Sequence, residues 1–151
     1  MYRVILGGAA AAALVVTSYA VWSFSRPGPL VAMHTPLRHD DFVFSVNAAH
    51  SVPFKDANHL LIDVLIVNQA KRVEYEWRNA IAFVEDAGGN RYDAVSDNSF
   101  ALRPGESRVA AIAFDVPKSV QHPVVRFWDG IYMGDAFDGA KYARARVSIA
   151  Q

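Results

Sequence analysis

The sequence predicts an all-β domain, two antiparallel sheets packed face to face, preceded by one N-terminal transmembrane helix. Three observations lead there. Val4 to Phe24 carries no charged residue. From Leu37 to Gln151 apolar residues recur at alternate positions, with no sustained 3.6-residue period. The alternating runs are short and are separated by Gly, Pro, Asn and Asp turn signals without helices between them, the pattern of a sandwich.

At about 1.5 Å per residue a helix over Val4 to Phe24 is about 30 Å long, matching the hydrocarbon layer of a bilayer. Arg3 and the amino terminus precede it, and Trp22 and Arg26 follow it. That arrangement places the amino terminus in the cytoplasm and the rest of the chain in the periplasm, tethered to a bacterial inner membrane, although Arg26 opposes the orientation. Gly7, Gly8, Ala11 and Ala12 give the helix a small-residue surface that permits close packing in lipid. A cleaved signal peptide is the second reading, because Ser18 and Ala20 fit its small-x-small cleavage pattern, while the apolar run exceeds the ~7 to 15 residues usual for such a signal. Under both readings the domain is exported. The organisation is then 1–25 anchor or signal, 26–38 Pro-rich linker, and 39–151 folded domain. Arg26 to Pro36 holds three prolines and one glycine, which suits an extended stalk.

The chain has no cysteine, so disulfides, lipid attachment and thiol chemistry are unavailable. A formal net charge of zero leaves no field to draw a polyanion, and nucleic acid is not an expected partner.

Within the domain, Phe42 to Ala48 reads as the first strand, with Phe42, Phe44 and Val46 on one face. His59 to Asn68 follows, apolar on both sides around Asp63, and reads as a central strand covered on two faces. Val73, Tyr75 and Trp77 alternate with Glu74, Glu76 and Arg78, as in a strand half open to water. Ala80 to Glu85 is joined to Arg91-Tyr92-Asp93 by a turn whose Gly88-Gly89-Asn90 supplies positive φ. Leu102 to Glu106 is a reversal built on Pro104-Gly105, and Val109 to Val116 is a strand ended by Pro117. Val124 to Trp128 and Ala143 to Ile149 complete the set.

The segments LLIDVLIVN, AFVEDAGGNRYDA and LRPGESRVAAIAFDVP together resemble the bacterial extracytoplasmic immunoglobulin-like domain of unknown function (domain of unknown function 4352-like) found on secreted and membrane-attached proteins. The resemblance implies an immunoglobulin-like sandwich and an extracytoplasmic site, and it brings no catalytic residues. Lipoprotein members carry a cysteine that this chain lacks, and RFWDGIYMGDAFDGAKYARARV has no counterpart in the common pattern.

That last segment supplies the first candidate site. Trp128, Ile131, Tyr132, Met133 and Phe137 are residue types enriched at the buried centre of protein contacts, and an aromatic plug at one end of the sandwich is the alternative. Asp129, Asp135 and Asp138 alternate with glycines and could offer oxygen ligands to calcium, but the spacing is unlike an EF-hand and Asp-Gly turn chemistry is the favoured reading. Met33, His34 and His39 beside Asp40 are ligand types for copper or zinc, but a Pro-rich stalk does not hold a fixed geometry. Glu74 and Glu76 project from one strand face without the apolar surroundings acid catalysis needs, and a wetted face, open to pairing across strands with Arg144 and Arg146, explains them. No nucleophile elbow or phosphate loop is present. The sequence therefore points to a non-enzymatic, membrane-tethered module without a cofactor that binds membrane or periplasmic proteins, plausible as an accessory subunit of a membrane complex. A periplasmic ligand or metal carrier is the alternative.

Overall fold

A computed structural model describes residues 27–128 and 142–149. Its strands are β1 (Leu30–Val31), β2 (Leu37–His39), β3 (Phe42–Phe54), β4 (Ala57–Asn68), β5 (Tyr75–Arg78), β6 (Ala82–Glu85), β7 (Arg91–Asp93), β8 (Ser99–Leu102), β9 (Ser107–Pro117), β10 (Val124–Phe127) and β11 (Arg146–Ser148). One sheet runs β1-β11-β10-β6-β7, a second β2-β3-β4-β9, and β5-β8 form a two-stranded ribbon. Every pairing is antiparallel except β1 with β11. The architecture is an antiparallel β-sandwich, as the alternation predicts.

The period of two decides which side chains meet between the layers. From β4, Leu60, Ile62, Val64 and Ile66 point inward, and Ala110, Ile112, Phe114 and Val116 of β9 join them. The facing sheet contributes Ala82, Val84, Val125, Phe127 and Val147. Trp77 is fully buried beside Phe44 and Phe127, with ring centroids 5.8 and 6.4 Å away. Burying an indole requires a partner for its N–H, and Trp77 donates to Asn79 Oδ1 at 3.1 Å. A second buried amide, Asn68, donates to the carbonyls of Val73 and Leu102 and accepts from the Ala70 N–H, so all its polar atoms are used. Asn68 thereby ties the end of β4 to β8.

Two predicted reversals are present with the expected backbone. Gly89 has φ of 81° and Gly105 has φ of 80°. The second is locked by the Arg103 N–H donating to the Glu106 carboxylate and by Gly105 N–H donating to the Asn68 carbonyl.

Several elements differ from expectation. The stretch expected as a free linker is extended but docked, since Leu30 and Val31 pair with Arg146 and Val147, and Leu37 to His39 pair with Phe42 to Phe44. Prolines exclude helix there but leave edge pairing open. Gly28 allows this docking, because a Cβ on it would stand 1.5 Å from the Arg144 carbonyl oxygen. The first strand extends beyond Ala48 to Phe54 and turns at Lys55, whose φ is 39°, without a glycine to mark the turn. Ser99 to Leu102, not anticipated, pairs with β5. Tyr142 to Arg144 are helical, leaving Arg146 to Ser148 as the last strand. Glu76 pairs with Arg78 on its own strand, while Arg146 donates to the Gly28 carbonyl, so the expected pairing of Glu76 with Arg146 is replaced. The anticipated membrane span Val4 to Phe24 lies outside the described residues, and among the described residues no helix is long and apolar enough to cross a membrane.

Candidate functional site

Strand β4 is central, as its composition predicts, and of its outward residues Leu61 is exposed while Asp63, Leu65 and Val67 are half-buried. Across β3, β4 and β9 the register aligns His50, Leu61 and Ala113, then Ala48, Asp63 and Ala111, then Ser45, Leu65 and Val109. These rows form the outward face of the sheet. Leu61 is 45% exposed and Val109 is 50% exposed. The expectation of cover on two sides is therefore corrected: the periodicity shows that both faces are apolar, while cover also needs a neighbour. The face carries one central carboxylate, Asp63, among Leu61, Leu65, Ala111 and Val109.

At one end of this face the β3–β4 hairpin presents Val52 and Phe54, both about half exposed. Phe54 packs on the His59 ring at 4.7 Å, and the His59 Nδ1 lies against the Asp115 carboxylate directly across the strands. Lys118 donates to the Lys55 carbonyl and ties the hairpin tip to the segment after β9. The face thus mixes exposed apolar side chains with Asp63 at its centre and the His59 and Asp115 pair at one end.

The other sheet treats its outward face differently. Phe83 lies under the Arg91 guanidinium at 4.1 Å and the Arg126 guanidinium at 5.4 Å, and is only 6% exposed. Arg126 is in turn held by Glu85 and by the Ala143 carbonyl. The β6–β7 turn on this sheet is built on Asp86, whose carboxylate accepts from the N–H groups of Gly88 and Asn90, the Asn90 amide and the Tyr92 hydroxyl. Hydrogen bonds from the Asn90 side chain and backbone lead in holding the Asp86 carboxyl below its ordinary value of 3.8. Burial, followed by the bond to Asp86 and that group's charge, pushes the Tyr92 hydroxyl above 10.0.

Of the residues singled out in the sequence, Trp128 is 42% exposed and its N–H donates to the Ile81 carbonyl. Asp129, Ile131, Tyr132, Met133, Asp135, Phe137 and Asp138 lie outside the described residues, as do Gly7, Gly8, Ala11 and Ala12. The Met33, His34 and His39 trio is spread over different environments. Met33 packs on the core, His34 is exposed with φ of 66°, and His39 is buried and stacked on Tyr142 at 4.9 Å. No group of three His, Cys, Asp or Glu side chains that could hold a metal occurs among the described residues. A cleft of about 260 Å³ beneath the hairpin is lined by Ser51, Asn58, Leu60, Val116 and His122, without a charged carboxylate or lysine. The outward face was the feature the sequence reasoning missed as a site, and its signal was present in the double-sided apolarity of His59 to Asn68.

No family model and no curated protein matches the sequence. Solved structures match in fold. The yjhA protein from Bacillus subtilis is 12% identical, with a TM-score of 0.59 over 79% of this chain and 98% of that one. MPT63, described as a secreted protein from Mycobacterium tuberculosis, is 14% identical, with a TM-score of 0.55 over 71% of this chain and 94% of that one. An uncharacterized β-sandwich protein from Clostridium difficile is 12% identical, with a TM-score of 0.54 over 83% of this chain and 97% of that one. The described residues therefore share the fold of these β-sandwich structures.

Proposed function

We propose that this chain is an exported interaction module, held at the outer side of a bacterial inner membrane by its N-terminal apolar run, that binds another protein as an accessory subunit. One observation carries the reading: the outward apolar face of β3, β4 and β9, with Leu61 and Val109 about half exposed around a single carboxylate. Leaving such a surface to water costs about 25 cal/mol for each Å² that a partner could cover. The aromatic segment from Trp128 to Phe137 is composed for the same task, and an extracytoplasmic domain of unknown function, which the three quoted segments resemble, fits an exported location. The role is binding, with no reaction assigned.

Gentle detergent extraction of the full chain from its native membrane, followed by size analysis, tests the reading. The expected result is a heteromeric complex from which Leu61→Asp is released, its affinity falling at least about tenfold because a carboxylate is buried unpaired. A chain that elutes alone, or only with copies of itself, overturns it.

A further inference from the structure

Three of the four edges of the two larger sheets are guarded by brevity: β1 has 2 residues, while β2 and β7 have 3 each. Short edges are one way proteins avoid strand-to-strand association. The fourth edge is β9, with 11 residues.

The direction of the β9 backbone groups follows from two hydrogen bonds. Asn68 N–H donates to the Glu106 carbonyl, so the groups of even-numbered residues along β9 face β4. Val95 N–H donates to the Ala113 carbonyl, and Ala94 bridges Phe114, so the groups of odd-numbered residues face the opposite way. Ala94 and Val95 thus cover the edge at Ala113 and Phe114. No hydrogen bond among the described residues reaches the outward N–H and C=O groups of Ser107, Val109 and Ala111. The usual guards are missing from this stretch. It has no proline or lysine, and its one charge, Arg108, folds its guanidinium over the Phe100 ring at 4.4 Å.

We infer that β9 is a self-association edge, and that the partner it fits is β9 of a second copy of this chain, antiparallel about a twofold axis at Val109. That register is self-complementary. Val109 faces its own counterpart, Ser107 faces Ala111, Arg108 faces Ala110 and Glu106 faces Ile112, so no two charged side chains stand opposite one another. Ser107, Val109 and Ala111 become three successive hydrogen-bonded pairs that satisfy every outward group named above. The two four-stranded sheets join into one, and their outward faces become continuous across the axis. This pairing uses the edge of the sheet and holds whether or not another protein covers the outward face.

The chain lacks cysteine, so a single introduced thiol reports only contacts between copies. In the proposed register the two Val109 Cα atoms lie about 5.5 Å apart, within the ~4.4 to 6.8 Å range of a disulfide. Val95 adjoins Ala113, four residues along the strand from the axis, so its two copies are about 27 Å apart at ~3.4 Å per residue. The full chain in mild detergent is expected to sediment as a dimer, with Val109→Cys forming a covalent dimer on oxidation and Val95→Cys remaining uncrosslinked. Val109→Pro removes an outward N–H and leaves the β4 ladder intact, so it is expected to give a folded monomer by sedimentation and circular dichroism. Where that variant fails to fold, the thiol pair decides alone. A monomeric parent chain, equal crosslinking at both thiols, or a folded Val109→Pro that stays dimeric overturns the inference.

Discussion

The two sheets finish their outward faces in opposite ways. On the β6–β10 side the outward aromatic Phe83 is roofed by the guanidiniums of Arg91 and Arg126, the second fixed by Glu85, while Trp128 just past the end of β10 stays 42% exposed. Long cationic side chains cover apolar surface while keeping their heads wet, so Phe83 is shielded without leaving its sheet's outward face. On the β4–β9 side no guanidinium lies over Leu61 or Val109 among the described residues; Leu61 stands between His50 and Ala113, and Val109 stands beside Leu65 at the sheet edge. A sandwich needs both sheets to build its core, but it needs only the inward halves. What the outward halves do is free to differ, and here Phe83 is covered by its own chain's guanidiniums while Leu61 and Val109 stay about half exposed.

The most forceful way to break this comparison uses neighbouring residues of one strand. Ile62 is fully buried and Leu61 is 45% exposed, although both are aliphatic and of equal volume. Ile62→Ala should cost about 2 to 5 kcal/mol, the loss of burial plus the cavity left behind. Leu61→Ala should cost about 0.5 kcal/mol. Urea unfolding of the two variants checks this, and equal losses would mean that the chain covers its own outward face.

The sealed face can be opened in turn. Arg126→Ala removes the ion pair with Glu85, the bond to the Ala143 carbonyl and part of the roof on Phe83, which together should cost about 1 to 2 kcal/mol. Arg91→Ala removes cover but no part of that network, since its own carboxylate partner is Asp93, and should cost about 0.5 kcal/mol. A dye that fluoresces on apolar surface should bind both variants more than the parent. Unchanged dye binding by Arg126→Ala would show that the guanidiniums are not what keeps Phe83 from water.

How much of this was legible in the sequence follows from what each residue does locally. The turns at Gly89 and Gly105 were readable because positive φ is a property of the residue itself. The inward row of β4 was readable because a period of two survives over a long strand. By contrast, Leu30–Val31, Leu37–His39 and Ser99–Leu102 are too short to show a period, and their pairing depends on where distant strands end. The Lys55 turn was unreadable because its strained backbone falls on a residue that does not favour it. The open face was half legible. Composition marked both sides of His59 to Asn68 as apolar, but no local signal says whether a neighbour lies above a sheet, so the candidate surface had to wait for the register of β3, β4 and β9.

The smallest effect separates the two sheets by pH. On the sealed side Asp86 is held ionised by four donors, and its carboxyl lies below 3.8 in the folded chain. On the open side the central carboxylate, Asp63, stands opposite Ala48 and Ala111 and has no such set of donors among the described residues. Above pH 3.8 Asp86 is charged in folded and unfolded chains alike, and its hydrogen bonds contribute in full. As the pH falls below 3.8 the unfolded chain takes up the proton first, so stability declines, and the contribution is gone once the folded carboxyl is also protonated. Asp86→Asn should therefore be less stable than the parent at neutral pH, and that gap should narrow as the solution is acidified below 3.8. Urea midpoints of the two proteins across that range decide the matter, and an equal acid loss for the parent and Asp86→Asn would show that the Asp86 carboxylate does not control the acid dependence.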